Sequence, residues 1–159
     1  VLSSCLHRQS DQIMKPTIRI QKLNPDAILP SYGTAYSAGA DLYACMESSV
    51  TILPGEAALI HTGLAVAIPA GYAGLVFARS GLAMKQGLAP SNKVGVIDAD
   101  YRGEIMVSLY NHSKESRTVE PGERIAQMVI TPFLKAEWQE TEQLDETDRG
   151  SGGFGSTGC

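Results

Sequence analysis

The sequence is poor in several residue types, and each shortage argues against a class of protein. Its three cysteines, Cys5, Cys45 and Cys159, lie far apart. That spacing fits neither a disulfide framework nor a zinc site, and it favours reduced thiols in a cytoplasmic protein. No apolar run approaches the roughly 18 residues of a membrane-spanning helix, so we expect no membrane partner. Thirteen basic residues against 17 acidic ones give a formal net charge of −4, which argues against a nucleic-acid partner.

What the sequence does contain is typical of one soluble globular domain. It has 159 residues, of which 43% are hydrophobic and 19% charged. Short apolar runs separated by turn signals every 8–12 residues indicate an all-β sandwich or barrel. Strands are predicted at 17–23, 50–53, 57–61, 64–68, 72–78 and 124–133. One short helix is predicted at 80–86, with Ser80 as its N-cap and Gly87 at its end.

The two ends of the chain differ in composition from the middle. Residues 1–14 show weak periodicity and are predicted to be a disordered N-terminal extension, with a transit peptide as the alternative. Residues 15–139 are predicted to form the β domain. Residues 140–159 are acidic and then glycine-rich, and they cannot bury enough surface to fold alone.

A polar turn at 98–103 carries an unusual number of reactive groups. It reads Asp-Ala-Asp-Tyr-Arg-Gly and lies between the apolar runs 94–97 and 105–110, which predicts a hairpin. A carboxylate within hydrogen-bond reach of a water molecule can orient and deprotonate it. Composition alone leaves a solvated hairpin tip equally open.

Four further stretches stand in order around this turn. They are Ala-Gly-Ala-Asp-Leu-Tyr-Ala at 38–44, Ala-Arg-Ser-Gly-Leu-Ala at 78–83, Arg-Ile-Ala-Gln-Met at 124–128, and the glycine-rich run at 149–158. Together the five stretches resemble the five motifs of the trimeric, all-β dUTP nucleotidohydrolases (dUTPases). The resemblance extends from about residue 15 to residue 158. Each motif alone is weak, whereas five in order are highly specific.

The resemblance implies a fold, a reaction and partners. The implied fold is a distorted jelly roll or β-barrel with one short helix and a flexible C-terminal arm over the active site. The implied reaction is the hydrolysis of dUTP to dUMP and pyrophosphate, by in-line attack of water on the α-phosphorus with Mg²⁺. It would keep uracil out of DNA and supply dUMP for dTMP synthesis. The implied assembly is a homotrimer with shared active sites.

The resemblance also implies roles for the turn and its neighbours. Asp98 matches the residue that activates the water, although an Asp that only holds its own turn is the structural alternative. For Asp100, turn support is the prediction. Tyr101 matches a ring that excludes a 2′-hydroxyl, with a packed surface tyrosine as the alternative. The implied uracil and deoxyribose contacts are Asn92, Gly95, Val96, Ile97, Tyr101 and Phe154.

Phosphate and metal contacts are implied in the same way. Asp41 matches a residue that holds a water of the magnesium ion, which the substrate phosphates chelate. Arg124 begins a motif but is left open between a catalytic and a structural role. The run 150–157 mimics a phosphate-binding P-loop, but Ser156 stands where lysine is needed, so we reject a P-loop. The implied phosphate contacts are Arg79, Ser80, Gly81, Gln127, Arg149, Gly153, Ser156 and Thr157.

Two other functions compete with this one. A dCTP deaminase of the same fold would need a general acid or base for the 4-amino group, and the motifs carry no spare Glu or His. A nucleotide-sensing protein without turnover is the second alternative, and the intact Asp98 and Arg149 argue against it. The histidines, His7, His61 and His112, match no motif and are predicted to be ordinary surface or core residues.

Overall fold

The computed structural model describes residues 15–153, which form antiparallel strands and one short helix. The all-β class with a single short helix is therefore confirmed. The elements are β1 (Arg19–Lys22), β2 (Ser31–Tyr32), β3 (Ala40–Tyr43), β4 (Val50–Ile52), β5 (Ala57–His61), β6 (Leu64–Ala67), β7 (Tyr72–Phe77), α1 (Ser80–Gln86), β8 (Leu88–Pro90), β9 (Gly95–Ile97), β10 (Met106–Asn111), β11 (Arg117–Val119) and β12 (Arg124–Pro132).

The strands form four antiparallel groups. The largest sheet has five strands in the order β2-β3-β12-β7-β9, and a second sheet has the order β5-β10-β8. Two-stranded ribbons, β1-β6 and β4-β11, complete the fold. In the large sheet Gln127 lies opposite Asp41 on one side and opposite Phe77 on the other. This register places residues that are distant in sequence side by side on the three central strands of the sheet.

One apolar core lies between these groups. Inward-facing residues of nearly every strand contribute to it, and Leu82 adds the buried side of α1. Burying such side chains contributes about 1.5–3 kcal/mol each, which is why alternating strands pack face to face. The fully buried large apolar residues are Leu42, Ile52, Ile60, Leu64, Leu88, Ile105, Leu109, Val119 and Ile125.

The helix has the predicted bounds but not the predicted N-cap. Gly87 ends it in the left-handed conformation, with φ +69° and its N–H donating to the Ala83 carbonyl at 3.0 Å. The prediction that Ser80 is the N-cap is wrong, because Ser80 is the first helical residue. Arg79 occupies the N-cap position with extended backbone and makes no side-chain cap hydrogen bond. Its guanidinium extends to Asp41 instead.

The hairpin predicted around the polar turn is also wrong in its pairing. β9 pairs with β7, whereas β10 pairs with β5 and β8. The turn therefore passes from one sheet to another and does not join two hydrogen-bonded neighbours. Its far end is fixed elsewhere, because the Ile105 N–H donates to the Leu64 carbonyl at 2.8 Å. The backbone N–H and C=O groups that a local hairpin would have paired with each other are paired with strands elsewhere in the chain.

The C-terminal part of the described chain has no regular structure. β12 ends at Pro132, and residues 133–153 contain turns but no strand or helix. Leu134 is fully exposed and Trp138 is 91% exposed. The predicted domain limits, 15–139 and 140–159, stay predictions, and the predicted extension at 1–14 lies outside the described residues. In the part of the chain that the structure describes, no helix has the length and apolar character to cross a membrane. The cytoplasmic location stays a prediction.

Candidate functional site

One cluster of charged side chains lies where β12 begins beside the ends of β3 and β7. Asp41 accepts a hydrogen bond at Oδ1 from Arg79 Nε at 2.7 Å, and Arg124 Nη1 lies 3.4 Å from its Oδ2. Only 14% of the Asp41 side chain is exposed, whereas Arg124 is about half exposed. A single carboxylate thus holds two guanidinium groups beside each other. The cluster, here called the arginine cluster, carries a net positive charge suited to an anionic ligand.

A β-bulge brings Arg124 and Gln127 to the same side of the sheet. The pairing of β12 with β3 shifts between Arg124 and Ala126, which leaves Ile125 as the extra residue. Ile125 and Ala126 are consecutive, yet both are fully buried. Without the bulge, the alternation of a strand would place residues 124 and 127 on opposite faces. The bulge therefore assembles the two side chains on one surface.

Gln127 lies in the wall of a cavity beside the arginine cluster, and a hydrogen bond fixes its side chain. One N–H of its Nε2 donates to the Ala78 carbonyl at 2.9 Å, so the second N–H of Nε2 stays outside that bond. A Cβ atom at Gly39 would collide with the end of the Gln127 side chain, so any other residue there would displace the Gln127 amide. The cavity has a volume of about 460 Å³. Its lining combines the arginine cluster with Gly33, Ser37, Ala38, Gly39, Phe77, Gln127 and Val129.

The first turn of α1 lies beside the arginine cluster. Ser80 and Gly81 directly follow Arg79, and both are exposed. A Cβ at Gly81 would meet no atom of residues 15–153 within 4 Å, so nothing in that range requires glycine there. The first N–H groups of a helix lack partners within the helix and suit an anion. The structure thus places three of the predicted phosphate contacts together.

The polar turn forms a second surface, at the other end of the large sheet. Asp98 is exposed, and its carbonyl accepts the Tyr101 N–H at 3.1 Å. Arg102 Nη1 donates to the carbonyls of Ala99 and Tyr101 at 2.7 and 2.9 Å, so its guanidinium holds the turn itself. A cavity of about 220 Å³ lies against this turn. It is lined by Leu59, Val96, Ile97, Asp98, Tyr101, Glu104 and Met106.

Four of the six predicted uracil and deoxyribose contacts, Asn92, Gly95, Val96 and Ile97, lie on β9 and the turn before it. β9 is an edge strand of the five-stranded sheet, and β7 is its only partner in the described part of the chain. One row of its backbone N–H and C=O groups therefore remains available to a ligand. Asn92 is exposed in the preceding turn, where Lys93 adopts φ +66°. A left-handed lysine is uncommon and marks a backbone constrained by its surroundings.

The two surfaces do not meet within one chain. Ile97 pairs with Gly74 on β7, so Asp98 lies beyond that point and away from Arg79. At about 3.3 Å per residue, the five to six positions along the strand separate the two side chains by roughly 20 Å. The linings of the two cavities share no residue. The arginine cluster and the Asp98 turn are thus two separate surfaces, each a candidate half-site.

The glycine-rich arm is described only in part. Arg149 Nε donates to the Gly152 carbonyl at 2.8 Å, in an exposed turn at 147–151. Gly150 there has φ +52°. The structure brings neither Arg149 nor Gly153 to either cavity. The predicted contacts Phe154, Ser156 and Thr157 lie outside the described residues.

No protein-built metal cage is evident between residues 15 and 153, where no group of three His, Cys, Asp or Glu side chains gathers. Within that range, Asp41 is the one carboxylate in the lining of the cavity beside the arginine cluster. Each of its oxygens accepts from one arginine, and a carboxylate oxygen has a second lone pair. That donor set fits a metal held by a ligand's phosphates and touched by Asp41 through water.

Sequence reasoning missed the residues that hold the turn in place. Glu104 and His61 pair across 43 positions, with Oε2 and Nδ1 2.9 Å apart. His61 was predicted to be an ordinary surface or core histidine, and its side chain is half exposed. No short-range pattern links positions so distant. The Gly-Glu step at 103–104, directly after the polar turn, was the one local signal.

Comparisons with known proteins agree on one family. The dUTPase family model matches residues 25–158. A deoxyuridine 5'-triphosphate nucleotidohydrolase of Syntrophotalea carbinolica is 49% identical over 142 residues, covering 89% of this chain and 97% of that protein. One of Acinetobacter baylyi is 47% identical over 148 residues, covering 91% and 99%.

Solved structures give the same result. A mutant of the dUTPase of Staphylococcus bacteriophage 80alpha, determined with dUpNHpp, superposes with a TM-score of 0.79 at 31% identity. The match covers 90% of this chain and 99% of the phage chain. A dUTPase of phage phi11 of S. aureus, described with a structural Mg(II) ion, gives a TM-score of 0.73 at 27% identity, covering 82% and 99%.

Proposed function

The chain belongs to the dUTPase family, and we propose that its two half-sites, supplied by neighbouring copies, together hydrolyse dUTP to dUMP and pyrophosphate. The activity itself follows from the family, since relatives of nearly half identity cover most of this chain and are dUTP nucleotidohydrolases. The observation that supports the shared arrangement is the separation of the arginine cluster from Asp98. In this proposal the arginine cluster binds the phosphates and the Asp98 turn supplies the general base, and the two lie apart on the large sheet.

The arginine cluster is the proposed phosphate side. Arg79 offers a guanidinium that Asp41 already orients, and charge-assisted hydrogen bonds to phosphate are stronger than neutral ones. Gln127 is fixed by one N–H of Nε2, which donates to the Ala78 carbonyl, and it offers the second N–H of Nε2 to a phosphate oxygen. The exposed Ser80 and Gly81 add their N–H groups. The arm contributes Arg149, Gly153, Ser156 and Thr157 in this proposal.

Asp98 is the proposed general base. Its carboxylate takes a proton from a water molecule while the water oxygen bonds to the α-phosphorus. The bond from that phosphorus to the bridging oxygen breaks on the opposite side, and pyrophosphate leaves. The exposed position of Asp98 on a turn held by Arg102 allows a substrate to approach. A positioned base of this kind contributes roughly 10²–10⁴-fold to a rate.

Base and sugar recognition are assigned to β9 and the turns at its two ends. The free edge of Gly95, Val96 and Ile97 can pair with the imide edge of uracil as a neighbouring strand would. The Asn92 amide both donates and accepts. Tyr101 lines the same cavity as Asp98 and crowds the 2′ position of the sugar. Phe154 is assigned to stacking on the base.

Mg²⁺ is the proposed cofactor, and a family member has been described with a structural Mg(II) ion. When bound to the substrate phosphates, the ion neutralises charge that develops on the departing pyrophosphate. Asp41 would hold the ion through a water molecule. Because Asp41 also orients Arg79 and Arg124, it couples the two sources of positive charge at the phosphate side.

A homotrimer is the proposed assembly. In a closed ring of copies, the arginine cluster of one copy meets the Asp98 turn of the next, and the arm of the third covers the site. The exposed Val96 and Met106 beside the turn fit a surface that a neighbour covers. Light scattering should give three times the chain mass of 16.9 kDa. A fully active monomer would contradict the shared site.

A pyrophosphate-release assay with dUTP and Mg²⁺ tests the function directly. The expected result is stoichiometric dUMP and pyrophosphate. Release of ammonia from dCTP would instead indicate the deaminase. Tight binding of dUTP without release of either product would indicate a nucleotide sensor.

A further inference from the structure

The Glu104 carboxylate joins the end of the polar turn to the turn between β5 and β6. Its Oε1 accepts the Gly63 N–H at 2.8 Å, and its Oε2 lies 2.9 Å from His61 Nδ1. Beside it, the Thr62 hydroxyl donates to the Ile105 carbonyl at 2.6 Å. The carboxylate is about one-fifth exposed. Two segments some forty positions apart are thereby held at a fixed distance.

Tyr101 is attached to this junction through the backbone. Its hydroxyl donates to the main-chain carbonyl of Glu104 at 2.9 Å. The ring lies over Gly103, where any side chain would collide with it. Tyr101 and Glu104 both line the cavity that contains Asp98. The orientation of the ring therefore depends on where Glu104 is held.

Burial raises the pKa of the Glu104 carboxyl, but the hydrogen bonds from His61 and from the Gly63 and Thr62 backbone outweigh it and lower that pKa below its usual value. The carboxylate form is thus stabilised by the contacts that fix its position. A lone surface carboxylate has no such set of donors. The geometry and the charge state agree that Glu104 is held in one arrangement.

We infer that Glu104 and His61 are positioning residues that fix the Tyr101 ring, and that they thereby set the selectivity for deoxyribose over ribose. This inference rests on the proposed role of Tyr101. A ring held at one distance from C2′ excludes an added hydroxyl, whereas a ring free to tilt admits it. Neither Glu104 nor His61 needs to touch the substrate for this effect.

The test compares kcat/KM for dUTP and for UTP in the wild type, in four variants of the turn and its contacts, and in one control variant. Tyr101→Ala sets the selectivity that remains without the ring. Glu104→Ala should lower the dUTP/UTP ratio at least tenfold toward that value, and His61→Ala should lower it less. His61→Asn keeps an N–H donor near the position of Nδ1 and should retain most of the selectivity. Glu115→Ala is the matched control, because it removes an exposed carboxylate that pairs only with nearby Arg117.

The outcomes separate this inference from the proposed function. If the wild type does not hydrolyse dUTP, the proposed function fails. If it does, and both Glu104→Ala and His61→Ala keep the wild-type ratio, only the positioning role is overturned. Equal losses in His61→Ala and His61→Asn would also overturn it, since the donor would then be irrelevant. Should Glu104→Ala fail to fold, the two His61 variants decide the question alone.

Discussion

Arg79 Nε lies 2.7 Å from Asp41 Oδ1, although 38 positions separate the two residues in the sequence. The bond spans β12, which pairs with both of the strands concerned. It is partly buried, so it is less screened by solvent than an exposed ion pair. It also leaves the terminal nitrogens of Arg79 free to face the cavity, because Nε alone carries this contact.

That geometry predicts that lysine cannot replace arginine at this position. Arg79→Lys keeps one positive charge but loses the planar guanidinium that contacts Asp41 and a phosphate at once. We expect kcat/KM for dUTP to fall by roughly 10–100-fold, since charge-assisted hydrogen bonds contribute about 1.5–3 kcal/mol each. Steady-state pyrophosphate release measures the fall. Arg117→Lys, which alters an arginine outside both cavities, should leave kcat/KM unchanged.

Asp98 and Asp100 offer a matched pair on one turn. Both are exposed carboxylates, but only Asp98 lines the cavity with Tyr101. Asp98→Asn removes the base while keeping the shape, so kcat should fall by roughly 10²–10⁴-fold with little change in KM. Asp100→Asn should keep kcat within a few-fold of the wild type. Turnover by Asp98→Asn above a tenth of the wild-type rate would contradict the assignment.

Local elements were predictable from the sequence where local chemistry decides them. The helix at 80–86 has the predicted bounds because it ends at a residue in the left-handed conformation, which glycine at position 87 adopts without strain. The N-cap was not predictable. Arg79 takes that position, and its side chain contacts Asp41, which is 38 positions away in the sequence. Pairing of β9 with β7 is likewise non-local, and a polar turn between two apolar runs predicts the wrong partner.

The candidate site shows the same division. Its residues could be named from motif resemblance, but the bulge at Ile125 that places Arg124 and Gln127 on one face could not. In a strand without the bulge, side chains alternate strictly between the two faces, and Arg124 and Gln127 would lie on opposite faces. The separation of the arginine cluster from the Asp98 turn also depends on strand register, which a single sequence does not specify at three-residue strands such as β9.

Mixing two inactive variants tests whether the half-sites come from different copies. Asp98→Asn chains keep a sound arginine cluster, and Arg79→Ala chains keep a sound Asp98 turn. Random assembly of equal amounts into closed rings pairs a sound cluster with a sound turn at about one quarter of the sites. The mixture, unfolded and refolded together, should therefore recover about a quarter of wild-type activity. Separately refolded and then mixed samples are the control, and equal inactivity of both mixtures would mean that each site lies within one chain.

The Glu104 contacts predict a pH-dependent stability. Because its pKa is lower in the folded protein than the unfolded value of about 4.3, the unfolded state binds the proton more readily. The stabilisation is complete only well above the unfolded pKa, at about pH 5 and higher, and it is lost as the pH falls through the lower folded pKa. The Tm difference between the wild type and Glu104→Gln should therefore shrink between about pH 5 and pH 3. Glu115→Gln should show no such trend, at the same protein concentration.

The arm is where the functional and structural interpretations differ most. Residues 146–153 are exposed or half-exposed and form no strand or helix, so their removal costs the β domain few contacts. Deleting 146–159 should therefore leave the trimer and its Tm nearly unchanged. Closure of an arm over bound substrate excludes water from the reacting phosphorus, and ordering it costs about 1–2 kcal/mol per residue. Only contacts to substrate can offset that cost, which is why kcat should fall severely in the truncated enzyme.

Phe154→Ala should lower kcat less than the truncation does, since stacking of one base on an aromatic ring contributes about 1–3 kcal/mol. A non-hydrolysable dUTP analogue with Mg²⁺ should protect the arm of the full-length protein from protease. Wild-type kcat in the truncated enzyme would mean that the arm is a linker and that its match to the fifth motif is accidental.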